Sequence, residues 1–261
     1  MLTNSIILFL RDLLPVFIML AYLQALFISP PQQLRFTVVL SSFVIFFSTV
    51  VLIFYENISE ISEGNGLEWF KIVSLLIGLA LIWVAILNNK VSQYQAFTLP
   101  ILIIIGAVLI SSTHLSSLLL FLNIYFSNQQ SVLELSIGCA IGFGISLSFY
   151  FIFAFVLHEL VSMQAKGLVY ALFALFMAGQ VGIVANLLQQ IDLLTVGVTA
   201  LFDVTDWINE STEYGYLLKA LFGFEASPTA AYLTLLSSTF TLTFIILMRQ
   251  KRYDTAGAYN E

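Results

Sequence analysis

The chain has 261 residues, of which 60% are hydrophobic and 9% charged, with a mean hydropathy of +0.99 and a net charge of −6. Soluble domains carry roughly 25% charged residues, and a water-soluble protein of this size has too little interior to hide so much apolar surface. No basic patch exists beyond "RQKR" at 249–252, which excludes a nucleic-acid partner, and one cysteine, Cys139, excludes a disulfide framework or a thiolate cluster.

A stretch of about 18 or more apolar residues suffices to cross roughly 30 Å of hydrocarbon. Hydropathy predicts seven such spans, at 4–27, 36–54, 70–88, 97–122, 134–157, 167–189 and 229–248. The fold class expected is all-α, a polytopic membrane protein of seven transmembrane helices forming a single domain over 1–261. A cleavable signal peptide is not expected, because no basic region precedes the first apolar run and Arg11 interrupts it.

The first span carries the sharpest feature, "ILFLRDLLPVFIMLAYL" at 7–23, with Arg11 and Asp12 side by side. At 1.5 Å per residue Arg11 falls about 15 Å along the helix, near mid-membrane. Each buried charge costs about 2.5–3.5 kcal/mol on insertion scales, so an intramembrane ionisable residue points to a substrate or ion pathway. Helix neighbours point about 100° apart, unlike i and i+4 residues. At least one of the two charges is therefore expected to seek a partner on another helix or in a wet cavity. The structural alternative is an ion pair that holds helices together. Pro15 follows, freeing a backbone carbonyl and favouring a kink.

After the second span comes an acidic loop, 56–68, "ENISEISEGNG" with its flanks. Glu60 and Glu63 share a face if this piece is helical and are candidates to collect cations, against the plainer reading of a solvated loop. The fourth span holds "ISSTHLSSLLLFL", where His114 lies among Ser111, Ser112, Thr113, Ser116 and Ser117. The plain reading is interhelical hydrogen bonding. The functional one is a cation or proton site, with His114 and Ser117 on the pathway and imidazole suited to metals and protons. His158 and Glu159 fall at a span end and read as interfacial. The longest polar excursion, 190–228, precedes the seventh span and includes Asp203 and Asp206, further candidates to collect cations. Asn57-Ile58-Ser59 and Asn209-Glu210-Ser211 match the glycosylation pattern, relevant only in a secretory pathway.

Basic residues set the orientation. With the C-terminal tail 249–261 cytoplasmic, Arg35, Lys90, Lys166, Arg249, Lys251 and Arg252 face inward, and Lys71 and Lys219 outward. The expectation is an N-terminus outside and both acidic segments extracytoplasmic.

The stretch "FLRDLLPVFIMLAYL" resembles the first helix of the high-affinity iron permease family, which carries Arg-Glu-Gly-Leu-Glu before an apolar run ending near Tyr-Leu. Residues 53–87 are similar to that family's second outer loop and third helix, and "ALFMAGQVGIVANLLQQIDLL" at 174–194 to its sixth helix. The most specific likeness is "LFDVTDWINESTEYGYLLKALFGFEASPT" at 201–229, which resembles the final outer segment. The resemblance implies iron import across the cytoplasmic membrane and an inverted repeat of helices 1–3 and 4–6 plus a seventh. It also implies a mid-membrane site built from two motifs. Carried over, the first motif reads Arg11, Asp12, Leu13, Leu14, Pro15. The second falls near 114–118, with His114 at the arginine position or, one residue shifted, at the first glutamate. One carboxylate, Asp12, and one imidazole, His114, are then the candidate metal ligands.

The function expected is an iron-permease-like transporter for iron or a related divalent or trivalent cation. Iron is the transported ion and no cofactor is permanently bound. The alternative is a non-conducting, transporter-like subunit or regulator of an iron-uptake complex. No triad, phosphate loop or histidine cluster suggests an enzyme. Membrane lipid is one expected partner, and the resemblance implies another, an extracytoplasmic protein that oxidises or delivers iron. A transporter further requires Asp12 and His114 to face one shared polar cavity.

Overall fold

The computed structural model describes residues 2–28, 30–88, 95–127, 132–195, 197, 199–210 and 212–257. Most of the breaks expected at 88–95 and 127–130, with Lys90, Ser211 of the second glycosylation pattern and the tail residues 258–261, lie outside the described residues. Among the described residues the chain forms α1 (Leu2–Phe27), a 3₁₀ turn (Pro30–Gln32), α2 (Gln33–Ile53), α3 (Tyr55–Ser59) and α4 (Gly66–Leu87). It continues through α5 (Gln95–Ser127), α6 (Val132–Ser162), α7 (Lys166–Gln190), α8 (Glu213–Phe222) and α9 (Ala230–Gly257). Seven of these are long and apolar enough to span a bilayer, all except α3 and α8, and the chain is a multi-pass membrane protein.

The spans follow the hydropathy reading with one consequential shift. The third begins at Gly66 rather than 70. The chain reverses sharply before it, with Ser62, Glu63 and Gly64 all left-handed at φ 55°, 60° and 98°. Lys71, expected as the second residue of the span and facing outward, therefore stands more than one turn inside the spanning helix.

Helix α7 is the most buried of the spans, as a central helix is, and buries Val169, Phe173, Ala174, Phe176, Met177 and Val184. It packs chiefly on α9, while α1 packs on α6 and α4 on α5. The α4–α5 crossing depends on two small residues. A Cβ on Gly78 would lie 2.8 Å from the carbonyl oxygen of Gly106, and one on Gly106 2.7 Å from that of Gly78. Close backbone approach of this kind is how membrane helices gain packing without a hydrophobic drive between them. In one half of the bundle the core is aromatic: Tyr22 of α1 meets Phe153, Phe173 and Phe176 at ring distances of 5.2, 5.3 and 5.6 Å. Interhelical hydrogen bonds add to it, from Gln24 Nε2 to Thr37 Oγ1 at 2.6 Å and from Tyr150 OH to Gln24 Oε1 at 2.7 Å.

Phe43, Ile45 and Phe46 on α2 and Phe151, Ile152 and Phe155 on α6 are exposed. Apolar surface of this extent on a bundle exterior is what hydrocarbon requires.

Between α7 and α9 the segment 191–229 folds back onto the bundle, and its helix α8 packs on α1 and α7. Thr212 caps α8 by accepting the Gly215 N–H at 3.2 Å, and Gly223 ends it at φ 63°. Gly223 rests directly on Gly179 of α7, where a Cβ would stand 2.3 Å from the Gly179 Cα. Tyr232 of α9 donates its hydroxyl to Gly223 O at 2.6 Å. Asn186 Nδ2 donates to Glu225 at 3.1 Å, and Gln189 Nε2 to Thr229 Oγ1 at 2.9 Å. The segment is thus moored along more than two turns of α7.

Candidate functional site

In the half of the bundle beneath α8 the packing opens into a cavity of about 610 Å³. Arg11, Asp12 and Pro15 reach it from α1, Lys71 and Leu75 from α4, and Thr113, His114 and Ser117 from α5. Gln180, Ile183 and Leu187 line the α7 side, and Asn209, Glu210, Tyr216 and Lys219 of the folded-back segment close the top. Arg11, Asp12, His114 and Ser117, separated by a hundred residues in sequence, therefore share one wall system. The volume lies within the roughly 300–1,000 Å³ range of small-molecule sites.

The charged pair is arranged differently from the sequence expectation. Arg11 and Asp12 bond to each other, Nε to Oδ1 at 2.8 Å and Nη2 to Oδ2 at 2.9 Å, and among the described residues neither forms an ion pair with another helix. The long guanidinium arm curls back along the helix far enough to overcome the 100° offset between neighbours, and its planar fork then fits both carboxylate oxygens. Asp12 is 5% exposed, whereas the Arg11 side chain is 49% exposed, and both line the cavity. Pro15 has no N–H for the carbonyl of Arg11 four residues earlier, which leaves one more acceptor at this level of α1.

His114 donates its Nε2–H to Gln180 Oε1 at 2.9 Å, joining α5 to α7 across the cavity. Only Nδ1 is left for any further ligand. Ser117 and Thr113 send their hydroxyl protons to their own helix, to Thr113 O at 3.1 Å and Ile110 O at 2.7 Å, so they present acceptor lone pairs. Asp12, Lys71 and Arg11 all act electrostatically on the His114 ring.

Glu210 is the second carboxylate of the cavity, and it too is occupied. Its Oε2 accepts from Lys219 Nζ at 2.7 Å and its Oε1 from the backbone N–H of Ala226 at 2.6 Å. It ties together the stretch before α8, α8 itself and the stretch after it. Near it, Glu225 is held above the ordinary carboxylate range by burial, partly offset by the hydrogen bond from Asn186. Lys71 differs from the other two cavity cations: among the described residues it has no hydrogen bond and no carboxylate within 4.0 Å, although Asp12 and Glu68 act on it from farther away.

The expected cation-collecting acids lie elsewhere. Glu60 terminates α3 and Glu63 sits in the left-handed turn, so the shared helical face required by their spacing does not form; both are exposed. Asp203 accepts the backbone N–H of Thr205 at 2.9 Å and its hydroxyl, a local turn that holds the carboxyl below its ordinary range. Asp206 is exposed in the next turn. Among the described residues no three or more His, Cys, Asp or Glu side chains group closely enough to hold a metal ion. Sequence reading missed Gln180, Glu210 and the role of Lys71. Comparison with family models, with curated proteins and with solved structures finds nothing that matches this chain.

Proposed function

We propose that this chain is a permease-like transporter of the cytoplasmic membrane, with its substrate path through the cavity between α1, α4, α5 and α7. The observation that carries the reading is the meeting of Arg11, Asp12, His114 and Ser117, all from spanning helices, at one cavity. Ionisable groups within spanning helices are costly and mark pathways. Helices α1 and α5, which an inverted repeat would relate, supply all four. In the orientation favoured by the basic residues, α8 and the acidic segments face the extracytoplasmic side and the cavity is loaded from there.

Iron is the first solute to test, because the resemblance over 9–23, 53–87, 174–194 and 201–229 points to it. In this reading Asp12 is the oxygen ligand and His114 Nδ1 the nitrogen ligand, and Arg11 releases Asp12 when a cation arrives. An iron-delivering or iron-oxidising protein would meet the segment 201–228, where Phe202 is 50% and Trp207 91% exposed. The two ion pairs that occupy both cavity carboxylates favour a second reading, a subunit or regulator that binds but does not conduct.

Uptake of radioactive iron into cells separates the two. Transport predicts uptake above the level of cells lacking the protein and a loss of at least tenfold in Asp12→Asn, with membrane insertion unchanged. Equal uptake with and without the protein would remove iron conduction and leave the non-conducting reading.

A further inference from the structure

The charges that meet in the cavity do not balance. Three cationic side chains line it, Arg11, Lys71 and Lys219, against two carboxylates, Asp12 and Glu210. Each carboxylate already has its own cation, Asp12 through two bonds from Arg11 and Glu210 through Lys219. Lys71 is left without a contact partner: among the described residues no carboxylate lies within 4.0 Å, and Asp12 and Glu68 act on it only from farther away. It lies inside a spanning helix, where an ammonium is not retained without a counter-charge or ample water.

We propose that the cavity binds one small oxyanion, a carboxylate or a phosphate, through Lys71 and the free edge of Arg11. Arg11 gives two of its five N–H donors to Asp12, and the others remain at the exposed part of its side chain. A guanidinium edge beside an ammonium matches the two or three oxygens of an oxyanion better than it matches a halide. Glu210 spends both oxygens on Lys219 and Ala226, so it sends no unpaired charge against the anion. Leu75, Ile183 and Leu187 provide an apolar wall against which a short hydrocarbon tail fits. The inference rests on the cavity's being the substrate path proposed above, and names a substrate class for it other than a bare cation.

The test is equilibrium binding to the full-length protein in detergent at pH 7, with butyrate, inorganic phosphate and ferrous iron each as sole probe. One butyrate or phosphate is expected per chain. Lys71→Gln should weaken binding at least tenfold, Lys71→Arg should stay within about threefold of wild type, and Lys166→Gln, remote from the cavity, should change nothing. Butyrate alone would assign a carboxylate with its tail on the apolar wall, and phosphate alone an inorganic oxyanion. If Lys71→Gln does not fold, competition decides: the bound oxyanion should slow thiol labelling of Ser117→Cys in the cavity. No binding of either anion to wild type, or equal binding by a folded Lys71→Gln, overturns the proposal. So does ferrous iron binding that needs Asp12 and is indifferent to Lys71. Labelling of Ser117→Cys without anion binding would sink this inference alone and leave the transport reading standing.

Discussion

At the scale of single residues, the Arg11–Asp12 pair was the most legible feature, because two charges inside an apolar run have no local explanation. What the residues could not disclose was that a flexible four-bond side chain lets neighbours pair with each other. Lys71 was less legible: hydropathy puts it at the very edge of the third span, and only the start of α4 at Gly66 sets it more than a turn inside. Gln180 carries no charge and Glu210 lies in a polar stretch, so neither stands out in one dimension. A further residue-scale consequence concerns Tyr22. Its ring is fully buried among three phenylalanines and its hydroxyl has no hydrogen-bond partner among the described residues. An unsatisfied buried hydroxyl costs about 1–3 kcal/mol. Tyr22→Phe should therefore raise the thermal unfolding midpoint in detergent; a lowered midpoint would mean that the hydroxyl is satisfied in the membrane.

At the scale of elements, the seven spans were legible because each needs only length and hydropathy. The segment 191–229 was visible as a polar excursion, but its fold was not. Its helix is only ten residues long and its position depends on a backbone contact with α7. The Thr212 cap and the glycine after Phe222 are local signals for α8. Nothing local says that Gly223 must lie on Gly179. This joint keeps Tyr216 and Lys219 over the cavity, and it tolerates no side chain. Gly223→Ala places a residue in the left-handed region, at about 1–2 kcal/mol, and drives its Cβ into the α7 backbone. The expected result is faster proteolysis within 201–222 and a lower unfolding midpoint, while Ala226→Gly leaves cleavage close to wild type. Equal cleavage of Gly223→Ala and wild type would show that the segment is not held at this point.

At the scale of the whole molecule, the arrangement divides in two. One half is a dry core of aromatic rings around Tyr22, and the other a polar cavity roofed by a moored segment. The mooring hydrogen bonds from Asn186 and Gln189 and the charges on Lys71, Arg11 and Glu210 all lie in the second half. If the cavity is the substrate path proposed above, water must reach Ser117 past the segment that carries α8. Thiol labelling tests it most directly, with Cys139→Ala as background so that the native cysteine does not react. Ser117 lines the cavity, whereas Leu118, one residue on, is 4% exposed in the core. A membrane-impermeant maleimide applied from outside intact cells should label Ser117→Cys at least tenfold faster than Leu118→Cys. Labelling of Ser117→Cys as slow as that of Leu118→Cys would mean that the chamber is closed to water, and the transport account would fail with it.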